Sequence, residues 1–164
     1  MFTVCVGMAF YFLYLPKKYT DSVEKYAREY GVESDLVYAV IRCESSFDKN
    51  AVSKSGAVGL MQILPETAEY ITRISGRNSA YDLSCAEDNI EVGVLYLNYL
   101  KNRFYSETEI LAAYNAGEGR VNSWLSDPKY SEDGISLSDI PFKETREYVK
   151  RVKKFYNYYK FFYF

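Results

Sequence analysis

The sequence contains no histidine. That absence removes the imidazole base on which serine and cysteine hydrolases usually depend, and the ligands of most zinc and non-haem iron sites. Cysteine is scarce: Cys5, Cys43 and Cys85 are too few and too scattered for a disulfide scaffold or a zinc knuckle. Cys43 and Cys85 read as small buried residues, with a bridge between them left open. Positive charge is not in excess either, since 20 Lys and Arg stand against 22 Asp and Glu for a net charge of −2. No field is available to hold a polyanion, so nucleic acid is not an expected partner. Alternating strand-like runs and internal repeats are missing as well. Chemistry in such a chain must run on carboxylates, hydroxyls, amides, Tyr, Lys or Arg, and neither a metal ion nor an organic cofactor is expected.

What is present suits one globular domain: 164 residues, 48% of them hydrophobic and 26% charged, are enough to bury a core without staples. Phe2 to Leu15 is an uncharged apolar run that holds Gly7 and is ended by Pro16, Lys17 and Lys18. It is shorter than the roughly 20 residues that span a bilayer, lacks the basic stretch that precedes a signal core, and places its lysines on the side the positive-inside rule keeps in the cytoplasm. We read residues 1–18 as a membrane or export segment, the alternative being a buried N-terminal helix, and residues 19–164 as the folded domain.

Beyond Lys18 the pattern is helical nearly throughout. Asp21 with Glu24, Ser84 with Glu87 and Ser106 with Glu109 have the spacing of capping boxes, Ser34 and Pro65 open further helices, and Gly31, Gly76 and Gly117 close theirs. A last helix is expected from about Lys143, with Tyr148, Val149, Val152, Phe155, Tyr156 and Tyr159 inward. Asp48 to Leu64 carries Gly56 and Gly59 without a helical period and reads as a structured loop. The expected fold class is all-α, with at most a very small hairpin.

One carboxylate is out of place. Glu44 lies seven residues after Val37 and four after Val40, which puts it on the apolar stripe of its helix. It also falls at the helix C-terminus, where the macrodipole is negative. Desolvation and dipole both raise a carboxyl pKa, toward the value a general acid needs near neutral pH. The plain alternative is a terminal glutamate that fans out to water.

The stretch that follows, ESSFDKNAVSKSGAVGLMQILPETA, resembles the soluble lytic transglycosylase family, relatives of goose-type lysozyme. Two further family motifs come in order, AYNAG at Ala113 to Gly117 and IPFKETREYV at Ile140 to Val149, and the resemblance extends over roughly Ser22 to Tyr156. It implies a lysozyme-like domain with a substrate groove, and it makes Glu44 the catalytic acid and base. Ser45, Ser53, Gln62, Tyr114, Glu144 and Tyr148 are implied as substrate-binding residues, although each also has a bland reading as loop, core or helix-end structure. The implied activity is cleavage of the MurNAc-β-1,4-GlcNAc bond of peptidoglycan with formation of 1,6-anhydroMurNAc ends. A muramidase that uses water and a non-catalytic glycan-binding or assembly subunit are the alternatives. The implied partners are peptidoglycan glycan strands and, through the N-terminal segment, a membrane, in the extracytoplasmic bacterial cell envelope.

Overall fold

The computed structural model describes residues 15–76 and 79–163, so the expected membrane or export segment lies outside the described residues except for its last turn at 15–18. Among the described residues the regular structure is helical: α1 (Thr20–Glu29), α2 (Ser34–Glu44), α3 (Pro65–Ser75), α4 (Ala86–Lys101), α5 (Glu107–Ala116), α6 (Glu118–Leu125) and α7 (Lys143–Phe162). The expected all-α class holds. The loop between α2 and α3 is pinned by two isolated antiparallel bridges, Val52 with Val58 and Val58 with Ile63, which is the small hairpin in its least form.

Helix α2 is the centre of the molecule. Leu36, Val37, Tyr38, Ala39, Val40 and Ile41 are all buried, so neighbours cover this helix on every side. Its main partner is α7, which runs antiparallel to it: Tyr38 meets Tyr159 with ring centroids 5.5 Å apart, and one turn on the Arg42 guanidinium lies 5.5 Å from the Phe155 ring. That pairing carries the C-terminus of α2 toward the N-terminal half of α7. Helix α4 packs chiefly on α1 and α5, burying Ile90, Val94, Leu97 and Leu100. Gly93 lets the loop lie close on α4, because a Cβ there would sit 2.4 Å from the Met61 sulfur.

Local signals hold where the side chain has no better partner. Ser106 caps α5, its hydroxyl accepting from Thr108 N–H at 3.2 Å and donating to Glu109, and Gly76 ends α3 at φ 71°. The other two expected capping boxes are corrected. α1 starts at Thr20, with Tyr19 before it in a left-handed conformation, and Asp21 does not cap it. Cys85 precedes α4, while Ser84 donates to Asp82 and Glu87 is drawn away to Lys25 and Tyr26. Helix α6 was not expected: Gly117 does end α5, but at φ 90° it turns the chain directly into a new helix whose Val121, Trp124 and Leu125 had the apolar spacing to reveal it. Both described cysteines are free, and the burial expected of Cys85 is overturned: it stands exposed ahead of α4 while Cys43 is half-buried.

Candidate active site

Glu44 closes α2, and the chain leaves it abruptly. Ser46 and Phe47 follow at φ 53° and 67°, two consecutive non-glycine residues in the left-handed region, a strain of roughly 1 kcal/mol or more apiece that the packing must sustain. Phe47 is the anchor, buried against Tyr38. Arg42 donates to the Ser46 hydroxyl at 2.7 Å. The Ser45 hydroxyl donates to the Leu60 carbonyl at 2.8 Å, tying the helix end to the glycine loop.

That loop is held from beneath by one side chain the sequence reading missed. Asn89 is buried on α4 and fully engaged: its oxygen accepts from Met61 N–H at 2.9 Å, and its nitrogen donates to the carbonyls of Val58 and Leu83 at 2.9 and 3.0 Å. Gly59, at φ 80°, passes so close that a Cβ would lie 2.3 Å from the Asn89 amide nitrogen. A polar residue on the apolar face of α4, three after Ala86, was the available signal. From above, the Tyr114 hydroxyl donates to the Met61 carbonyl at 2.8 Å. Gln62 sits between these supports at φ 50°, its amide nitrogen donating to Ala51 and Gly59 carbonyls at 3.1 and 3.0 Å. Both donor positions are thus used inside the loop, and the amide oxygen has no protein partner among the described residues.

Burial pushes the half-buried Glu44 carboxyl up from its ordinary 4.5 to about 7. The Tyr148 hydroxyl and the positive charge of Arg151 act the other way and do not cancel it. Tyr148 and Tyr114 are themselves held well above the usual phenol range, first by desolvation and next by the Glu44 charge, so both hydroxyls lie within electrostatic reach of this carboxyl. The Tyr148 hydroxyl is buried and meets no protein atom at full hydrogen-bond geometry, so its hold on Glu44 is a loose contact in this state.

The fold therefore gathers Glu44, Tyr114 and Tyr148 in one cluster, with Ser45 and Gln62 on the loop beside it. Ser53 sits further along that loop, where its hydroxyl accepts from Ala57 N–H and shares a hydrogen bond with Ser55, both at 2.9 Å. Glu144 is exposed in the first turn of α7, in a hollow of about 430 Å³ that also takes in Asn115, Arg120, Phe142 and Lys143. A larger hollow of about 730 Å³ between α1 and α4, lined by Tyr26, Tyr30, Tyr81 and Glu91, contains none of these residues.

Among the described residues Glu44 is the one carboxyl pushed upward, at the end of α2 in an all-helical domain. The comparisons with known proteins give the family. The family described as "Transglycosylase SLT domain" matches residues 21–135. The soluble lytic murein transglycosylase of Escherichia coli is 37% identical over 156 residues, covering 90% of this chain, and a membrane-bound lytic murein transglycosylase C of Haemophilus ducreyi is 32% identical over 84% of it. Among solved structures, the 70 kDa soluble lytic transglycosylase of Escherichia coli superposes with a TM-score of 0.80 at 34% identity, covering 90% of this chain and 25% of that one. The lytic transglycosylase Slt of Pseudomonas aeruginosa, solved as an inactive Glu-to-Gln mutant, superposes at 0.78 with 32% identity, covering 91% and 25%. The chain belongs to the lytic transglycosylase family that carries the SLT domain. It spans about a quarter of the length of the soluble relatives, at 24% of the Escherichia coli protein, and 44% of the membrane-bound one.

Proposed function

We propose that this chain is a peptidoglycan lytic transglycosylase in which Glu44 serves as acid and then as base. The observation that carries the reading is a carboxyl pushed up to about 7 at a helix end, its charge felt by two buried tyrosines. Such a group is part acid and part base at neutral pH, which is what a residue used in both roles requires. That a relative is inactive as a Glu-to-Gln mutant supports a chemistry that turns on one glutamate.

In this reading protonated Glu44 gives its proton to the oxygen joining MurNAc C1 to GlcNAc C4, and the C1–O bond breaks as the 4-hydroxyl of GlcNAc leaves. The carboxylate so formed takes the proton of the MurNAc C6 hydroxyl, whose oxygen closes on C1. The product is a 1,6-anhydroMurNAc end, Glu44 is again protonated, and no water is consumed. Intramolecular attack supplies the nucleophile at high effective concentration, so the second carboxylate that ordinary glycosidases use to activate water has no task here. Tyr148 and Tyr114 orient Glu44 from behind, Ser45 fixes the loop to the helix end, Gln62 offers its free amide oxygen to sugar, and Ser53 and Glu144 line the path of the glycan strand. The working location is the cell envelope, with the apolar Phe2–Leu15 run meeting the membrane.

Mass spectrometry of the products released from purified peptidoglycan tests this. Anhydro ends are the expected result. Reducing ends, which need water, would replace the transglycosylase with a muramidase, and intact sacculi after long incubation would leave only a glycan-binding role.

A further inference from the structure

We propose that the C-terminal end of α7 is a membrane-interface surface, on which the domain rests against an anionic bilayer with Phe161 entering the lipid boundary. Helix α7 has two unlike faces near its end. Val152, Tyr156 and Tyr159 are buried against the core. Lys154, Tyr158 and Phe161 follow one another at i, i+4 and i+7 on another stripe, and Phe161 is 77% exposed with Phe162 at 51%. Phe155, Tyr158, Phe162 and Phe161 meet in succession edge to face, so the aromatic rings form one continuous patch.

A lone exposed phenylalanine is ordinary; its surroundings here are not. The Tyr163 hydroxyl donates to the Leu15 carbonyl at 2.6 Å and Tyr159 to Pro16 at 2.9 Å, with Leu15 buried. The point at which the chain comes out of its apolar Phe2–Leu15 run is therefore fastened beside this patch. Charge points the same way. After Glu147 the helix carries Lys150, Arg151, Lys153, Lys154 and Lys160 with no acid among them, in a chain whose net charge is −2. Lys160 is paired with Glu33 and Lys150 with Glu147, Lys153 donates to the Thr108 hydroxyl and the Arg151 charge acts on Glu44, which leaves Lys154, lying over the Tyr158 ring of the patch, and the exposed Lys18 to face lipid phosphates. Aromatic rings flanked by lysines that can extend toward headgroups suit a bilayer interface rather than bulk water.

The inference sets the height of the site and does not depend on the chemistry proposed for it. From Tyr148, beside Glu44, to Phe161 the helix rises about 20 Å. Helix α7 is then a strut that holds the Glu44 end off the lipid and turns it outward.

The test uses the full chain and the Phe161→Trp variant, with the native Trp124, buried on α6, as the internal reference. Each is mixed with vesicles of anionic phospholipid carrying brominated acyl chains. The expected result is that both proteins float with the vesicles, that Phe161→Trp shows added emission that shifts to the blue on binding and is largely lost to bromine, and that Trp124 emission is unchanged. Three results would overturn the proposal: no flotation; flotation with the added emission still open to an aqueous quencher; or emission already blue without vesicles and insensitive to bromine, which would mean that the Phe2–Leu15 segment covers Phe161 itself.

Discussion

The Tyr114 hydroxyl reaches across from α5 to donate to the Met61 carbonyl at 2.8 Å, so the motif tyrosine ties helix to glycine loop while lying within reach of the Glu44 charge. Removing that hydroxyl in Tyr114→Phe leaves the ring in place and the carbonyl without this donor. Stability should fall by about 1 kcal/mol, read as a shift in denaturation midpoint. The contact that counters burial at Glu44 comes from Tyr148 and not from Tyr114, so the pH midpoint of turnover should stay where it is in this variant.

The pH profile itself follows from the protonation that the first step needs. Burial sets the Glu44 carboxyl at about 7, so turnover that begins with proton donation should decline as pH rises through that value. Tyr148 stabilises the ionised form, and Tyr148→Phe should therefore carry the decline to higher pH while lowering the peak rate. Release of glycan fragments measured across a pH series for the wild type and both tyrosine variants separates the two roles. An unmoved midpoint in Tyr148→Phe would show that the tyrosine does not act on Glu44.

What could be read from the sequence, and what could not, divides on how local the physics is. Glu44 was legible because its position on the apolar stripe and at a helix end are both facts of spacing. So were the helix starts at Ser34 and Pro65 and the glycine stops, since their causes lie within one turn of chain. The Ser84–Glu87 capping box failed because Glu87 found Lys25 and Tyr26 from another helix, partners no local pattern announces. Asn89 went unseen for the same reason: its three hydrogen bonds run to residues 58, 61 and 83, brought together only by the fold. The strained pair Ser46 and Phe47 carries no glycine or asparagine to mark a left-handed turn, and the burial of Phe47 against α2 is what holds it.

The Asn89–Gly59 contact gives a prediction away from the reacting groups. Gly59→Ala would force a Cβ to within 2.3 Å of the Asn89 amide and 2.9 Å of the Leu83 carbonyl, at a φ of 80° that alanine resists. Asn89→Leu would leave the Met61 N–H and the Leu83 carbonyl without the Asn89 partner and take one of its two donors from the Val58 carbonyl, which keeps Ile63 N–H. Either change should cost at least about 2 kcal/mol. Because the loop carries Gln62, either should also weaken glycan binding more than it alters the pH dependence of turnover. Thermal unfolding beside binding to purified glycan checks both parts, and a variant with unchanged loop affinity would show that the loop does not position sugar.

Glu44→Gln keeps the shape of the side chain and removes its proton, and two opposite effects should follow. Acid and base steps both rest on this group, so anhydro-product release should fall by at least roughly 10²- to 10⁴-fold, while glycan affinity stays within severalfold of wild type. Stability should move the other way. A carboxyl whose folded pKa is raised from 4.5 to about 7 binds a proton more readily in the folded state, so between those values each rise in pH takes stability from the wild type, and above about 7 the whole penalty is present. Glutamine does not ionise and escapes it. Allowing for the partial exposure of Glu44, the variant should be more stable than wild type by about 1–3 kcal/mol near pH 8 and nearly equal to it near pH 4. Melting temperatures at the two pH values supply the measurement. A variant no more stable than wild type at alkaline pH would mean that Glu44 ionises freely, and its fitness as an acid at neutral pH would go with that result, whatever the loss of turnover.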